Sequence, residues 1–183
     1  MSAVRGAAAP PTRPRRPGVR GRRVLLVTHI AAAGAWLGVD VAMAVLIVTA
    51  ATTADLRTRA VSLQALELVT VGPLLVCGLL CLLSGLGLGL GSRWGIVRYW
   101  WVATKLAINL VLTALVLVSL RFEVAEQADR ARGSLAGESV TFDLADLVYP
   151  PTVSPALLLA AMTLSVVKPW GRIRTRKGEV SPR

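Results

Sequence analysis

Long apolar runs, broken by short polar segments, dominate the chain. The first runs from Val24 to Thr53, the second from Val61 to Gly91 and the third from Tyr99 to Leu120. A helix needs about 20 apolar residues to cross a bilayer, so each of the three is long enough to span with tilt. A fourth run is shorter. Ser154-Pro155 reads as an N-cap followed by proline at the first helical position, and Pro155 to Val167 is about 20 Å of helix. Starting that helix at Pro151 brings it to the lower limit for spanning, with a tilted or re-entrant segment as the alternative. The pattern predicts an all-α transmembrane four-helix bundle.

Local signals refine the elements. Gly72-Pro73 predicts a kink in the second run, because proline removes a backbone donor and crowds the preceding turn. Glycine at every second position from Gly85 to Gly91 reads as permissive backbone. It lacks the strand context of a dinucleotide-binding loop. Past Leu120 the helical pattern continues in polar form, with Glu126 and Arg130 at i,i+4 and Asp129 and Arg132 at i,i+3. Gly133 and Gly137 are expected to interrupt it. Residues 1–23, with seven arginines and four prolines, read as a disordered basic tail, and 171–183 as a second basic tail. The spanning domain is then 24–170, with an outer loop at 121–150.

Composition supports this reading. The 183 residues are 54% hydrophobic and only 17% charged, against about 25% charged for a soluble domain. The net charge of +11 is concentrated in the tails that flank the apolar runs, so membrane topology explains it better than nucleic-acid binding. With four spans, the tails and the 92–98 loop carry fifteen Lys/Arg, and the 54–60 and 121–150 segments carry five. The positive-inside rule then places both termini in the cytoplasm of a cell whose inner membrane holds the protein. Arg22-Arg23 and the small residues Ala31–Ala35 resemble a cleavable twin-arginine signal. The apolar run continues well past that point, which favours an uncleaved helix.

Ionisable residues inside spans cost about 2.5–3.5 kcal/mol each at the bilayer centre on insertion scales, so they mark candidate chemistry. These are His29, Asp40, Glu67 and Lys105, with Asn109 one turn from Lys105. His29, Trp36 and Asp40 fall on one stripe of the first helix. The functional reading is a proton or metal path along it. The plainer reading is a structural Asp40 buried against a polar partner such as Asn109, Lys105 or Thr70, with His29 at the interface. Lys105 is expected to snorkel, and Glu67 to reach water near the outer end. Gly34, Gly38 and Ala42 form a small-residue face suited to close helix packing. Tyr99, Trp100, Trp101 and Trp170 read as interface anchors.

Cys77 and Cys81 lie four apart in one run and cannot pair with each other on a helix. With His29, Met43 and Met162 they could form a soft copper(I) site, but they read more simply as small apolar residues. A single histidine excludes a bis-histidine haem within one chain. No Ser-His-Asp arrangement, paired-carboxylate site or phosphate loop is recognisable, so neither an enzyme activity nor a cofactor is expected.

Several stretches together resemble an uncharacterised family of small four-helix integral membrane proteins from actinobacteria, across most of residues 24–171. They are Thr28-His29 with Trp36-Leu37-Gly38, Leu83-Ser84-Gly85-Leu86, the 94–101 stretch Trp-Gly-Ile-Val-Arg-Tyr-Trp-Trp leading to Lys105-Leu106, and the 164–171 stretch Leu-Ser-Val-Val-Lys-Pro-Trp-Gly. The first-helix histidine followed by Trp36 and Gly38 is similar, more loosely, to the opening of copper-resistance membrane proteins. The family pattern carries histidine where this chain has Tyr99, which weakens any two-histidine site. The resemblance implies the four-helix fold and an actinobacterial inner membrane, and no activity. The expectation is therefore a multi-pass membrane protein with a structural or accessory role, in contact with lipid and able to join a homo-oligomer or a larger membrane complex. Proton-linked or small-solute transport through His29, Asp40 and Lys105 is one alternative, and a haem- or copper-binding redox role is another.

Overall fold

The computed structural model describes residues 18–90 and 99–167. Among them there are four long helices and no strands. These are α1 (Val19–Thr52), α2 (Leu56–Leu90), α3 (Trp100–Leu135) and α4 (Tyr149–Val167), the last entered through a single 3₁₀ turn at Asp146–Val148. All four are long and apolar enough to cross a membrane. The protein is an all-α, multi-pass membrane protein. Its outward surface explains why: Leu68, Val118 and Val166 are each more than 70% exposed. A row of such side chains is tenable in lipid and not in water.

The helices run up and down, each packed on its chain neighbours, and α4 returns against α1. One end of the bundle carries the α1–α2 turn and the 136–148 segment (the loop end). The other carries the start of α1 and the end of α4 (the terminal end). One face of α1, at helical spacing, is buried through Trp36, Asp40, Met43, Ile47 and Ala50. It meets Leu63, Leu66 and Leu74 of α2 and Leu112, Val116, Leu120 and Val124 of α3. At about 1.5 Å per residue the first three helices are some 50 Å long and project beyond a hydrocarbon core of about 30 Å. The projecting turns pack with Phe142, Leu144 and Leu147 into a small cap at the loop end.

Polar residues define the helix ends in this cap. Asp55 caps α2, its carboxylate accepting from the Thr58 amide at 2.8 Å and the Thr58 hydroxyl at 2.6 Å. These donors hold the Asp55 carboxyl below the usual carboxylate range. The cap is therefore charged at neutral pH and is lost as the pH falls through that lowered value. Arg59 closes α1 by donating to the carbonyls of Ala50 and Thr53 at 3.0 and 2.7 Å, with Phe142 beneath its guanidinium.

Several expectations need correction. Residues 19–23, placed in the basic tail, are helical. The segment read as an outer loop at 121–150 is helical to Leu135, and Gly133 does not break it. Termination comes at Gly137, whose φ of 91° lets the Glu138 amide reach back to the Gly133 carbonyl at 3.0 Å. α4 starts at Tyr149, with Pro150-Pro151 in its first turn where missing amides cost nothing, so Ser154 is no cap. Gly34, Gly38 and Ala42 face outward, and a Cβ on either glycine would meet nothing within 4 Å. The close approaches are made by α2, where added Cβ atoms would lie 2.9 Å from the Trp36 ring at Gly78, 3.3 Å from His29 at Gly85 and 3.0 Å from Leu25 at Gly87. Residues 1–17, the 91–98 segment and everything after Val167, including Trp170 and the second basic tail, lie outside the described residues.

This contrast makes a prediction. Gly78→Ala should destabilise the bundle by about 1–3 kcal/mol through overpacking against Trp36 and Thr113. Gly34→Ala and Gly38→Ala should be tolerated. Thermal unfolding in detergent, followed by tryptophan fluorescence, measures the difference.

Candidate functional site

Two cavities lie one above the other along the bundle and share no lining residue. The loop-end cavity has a volume of about 490 Å³ and takes its wall from Trp36 and Asp40 of α1, Leu74 of α2, Leu112–Glu123 of α3 and Tyr149–Ser154 of α4. The terminal-end cavity, about 410 Å³, draws on α1 around His29, α2 around Cys81 and Gly85, α3 from Val102 to Asn109, and α4 from Leu158 to Ser165. Between them Gly78 of α2 faces both the Trp36 ring and Thr113. Trp36 is 1% exposed and forms the centre of this septum.

Asp40 sits at the floor of the loop-end cavity and is also 1% exposed. Its Oδ2 accepts from the Ser154 hydroxyl at 2.8 Å, and Ser154 Oγ accepts from the Trp36 indole N–H at 2.9 Å. Asp40 Oδ1 has no partner within the protein. Asp40 thus faces protein, and its partner is Ser154, which replaces the expected Asn109, Lys105 or Thr70. Glu123 and Asp146 also line this cavity, whereas among the described residues no Lys, Arg or His does.

The wall is locally special. Within α3, residues Val116–Leu120 form a π-helical turn. Such single turns insert an extra residue into a helix and occur often at functional sites. Here Val116, Ser119 and Leu120 of that turn all line the cavity. Across from it, α4 begins only at Tyr149, so the shorter helix leaves the mouth between Glu123, Asp146 and Tyr149.

The terminal-end cavity has the opposite charge. His29 Nδ1 lies 3.1 Å from the Cys81 carbonyl and 3.0 Å from Ser84 Oγ. Lys105 donates to Ser165 Oγ at 2.9 Å and lies 4.7 Å from the Trp101 ring. Asn109 lines the same cavity, its Oδ1 buried without a partner. His29, Lys105 and Asn109 therefore come together, while Asp40 lies on the far side of the septum. Lys105 is half-buried at this cavity.

Other candidates are placed elsewhere. Glu67 pairs with Arg132 at 2.9 Å at the loop end, and Arg132 also holds Asp129 at 2.7 Å. Thr70 is buried on α2. Trp101 is buried and carries Lys105 against its ring, Tyr99 is half-buried, and Trp100 is 55% exposed. Cys77 and Cys81 are both buried, and Cys81 Sγ lies 3.8 Å from the His29 carbonyl. Met43 is in the core, and Met162 lines the terminal-end cavity. Among the described residues no three His, Cys, Asp or Glu side chains cluster as a metal site would require.

Ser154 is the residue that the sequence reading missed. Comparison of the chain with protein families, curated proteins and solved structures gives no match. The site geometry therefore carries the functional argument.

Removing the Ser154 hydroxyl orphans both the indole N–H and Asp40 Oδ2. Ser154→Ala should cost about 1–3 kcal/mol, and Ser154→Thr, which keeps a hydroxyl, much less. Unfolding in detergent measures both, and equal stability of parent and Ser154→Ala would show that the chain of hydrogen bonds is not maintained.

Proposed function

We propose that this protein is a proton-linked transporter of a small solute, with Asp40 as its proton-carrying group. One observation carries the reading. Asp40 combines near-complete burial with an unpartnered oxygen at the floor of a cavity. A purely structural role asks that buried polar atoms be satisfied. Among the described residues Asp40, Thr70, Asn109, Thr113 and Gln127 each have a buried side-chain oxygen without a partner, and of these Asp40 and Asn109 line a cavity.

The arrangement of groups suits alternating access. A proton arriving at the loop end reaches Asp40 through the mouth beside Glu123 and Asp146. It cannot pass along Ser154 to Trp36, because an indole N–H donates and does not accept. Transfer toward His29 and Lys105, about 16 Å away along α1, therefore requires displacement of the Trp36 septum. That requirement keeps the two cavities from opening to each other and couples proton movement to a change of shape. The excess of Lys/Arg on the terminal-end tails supports a cytoplasmic terminal end and an outward-facing loop end in an inner membrane.

Proteoliposomes with an internal pH-sensitive dye test the reading. With tetraethylammonium supplied as the probe solute, an imposed pH gradient should discharge faster with the parent protein than with empty vesicles. Asp40→Asn should fold and remove that excess rate, because the amide keeps the hydrogen bond to Ser154 without a titrating proton. Equal discharge by parent and Asp40→Asn refutes Asp40 as the carrier, and a structural or accessory role then accounts for the bundle. A C-terminal reporter active only outside the cytoplasm would reverse the assigned orientation.

A further inference from the structure

The loop-end cavity has walls suited to one class of ligand. Its lining is largely aliphatic and aromatic, with Leu112, Val116 and Val153 on α3 and α4 and the rings of Trp36 and Tyr149 at floor and mouth. Its charged groups are all acids. Glu123 faces it from α3, Asp146 from the 3₁₀ turn and Asp40 from α1, while Tyr149 of α4 adds a phenol and α2 contributes only Leu74. Asp40 Oδ2 is tied to Ser154, and its Oδ1 has no protein partner. A buried carboxylate oxygen without a donor favours a cation or a proton beside it. The other cavity is lined by His29 and Lys105 and, among the described residues, by no acid.

We infer that the loop-end cavity binds a hydrophobic organic monocation, such as a lipophilic amine or quaternary onium ion, with its charge at Asp40 and its apolar body against Trp36, Leu112, Val116 and Val153. A small hydrated metal cation would leave the apolar wall unused, and a neutral hydrophobic solute would draw no attraction from the three acids. Aromatic faces at Trp36 and Tyr149 add attraction for a desolvated cation. A volume of about 490 Å³ is in the range of pockets for organic ligands of this kind. The inference deepens the transport reading and rests on it for direction of movement. The cation and the proton compete for one carboxylate. When the cation binds, the Asp40 O–H bond breaks and its proton leaves to water in the cavity. When the proton returns, the cation is released. One cation is then exchanged for one proton.

Binding of radiolabelled tetraphenylphosphonium to the purified full-length protein, by equilibrium dialysis in detergent, tests the site without any transport step. We expect saturable binding of one cation per chain that weakens as the pH is lowered. Asp40→Asn should weaken it at least about tenfold, equivalent to about 1.4 kcal/mol. Glu123→Gln and Asp146→Asn, at the mouth, should weaken it less. Triphenylphosphine oxide, neutral and of similar shape, should not compete. If Asp40→Asn fails to fold, Val153→Trp, which fills the cavity from α4, should reduce binding in its place. Undiminished affinity in Asp40→Asn or in folded Val153→Trp, or effective competition by the neutral oxide, overturns the inference. The two readings fail separately. Asp40-dependent proton flux without cation binding overturns the ligand class alone. Asp40-dependent binding without flux keeps the site and removes the transporter.

Discussion

A carboxylate in the middle of an apolar bundle must be paired, protonated or in reach of water, and this constraint at Asp40 organises the rest of the site. Half of its need is met by Ser154, which is in turn fixed by the Trp36 indole. That chain of two hydrogen bonds ties α1 to α4 across the bundle. It also orients Trp36 so that its ring fills the space left by the missing side chain of Gly78. The remaining oxygen is buried without a partner among the described residues, in a residue that lines the cavity.

The unequal helix lengths follow the same logic. Three helices run on past the bilayer and bury their polar turns in a cap pinned by Arg59 and by the Glu67–Arg132 pair. The fourth begins only at Tyr149. If α4 matched the others, it would close over Glu123 and Ser119 and seal the mouth. The π turn at Val116–Leu120 lies on the facing wall, so the two departures from a regular bundle flank the same space.

The four helices and the placement of Asp40 inside a span were legible in the sequence, because run length and the cost of a buried charge are local properties. What escaped depended on which residues meet in space. Ser154-Pro155 imitates a helix start, and only the position of Pro150-Pro151 shows that the helix is already under way. The Gly34, Gly38 and Ala42 spacing suggested tight packing, yet that stripe points outward. Gly78, Gly85 and Gly87 do the work instead, and the alternating glycines after Ser84 were the available signal. The Tyr99-Trp100-Trp101 triplet divides because successive helical residues point about 100° apart, which turns Trp101 inward beneath Lys105. Neither cavity could be read from periodicity, since each is built from all four helices.

The protonation state and water contact of Asp40 can be observed directly by difference infrared spectroscopy of the parent protein and Asp40→Asn in lipid. A carboxyl stretch that titrates with bulk pH, shifts promptly in deuterated buffer and vanishes in Asp40→Asn is the predicted result. It would place a titrating Asp40 carboxyl in contact with water through the loop-end cavity. A spectrum in which no titrating band is lost on the substitution, or in which the Asp40 band does not exchange with deuterium, would contradict a proton-carrying role for this residue.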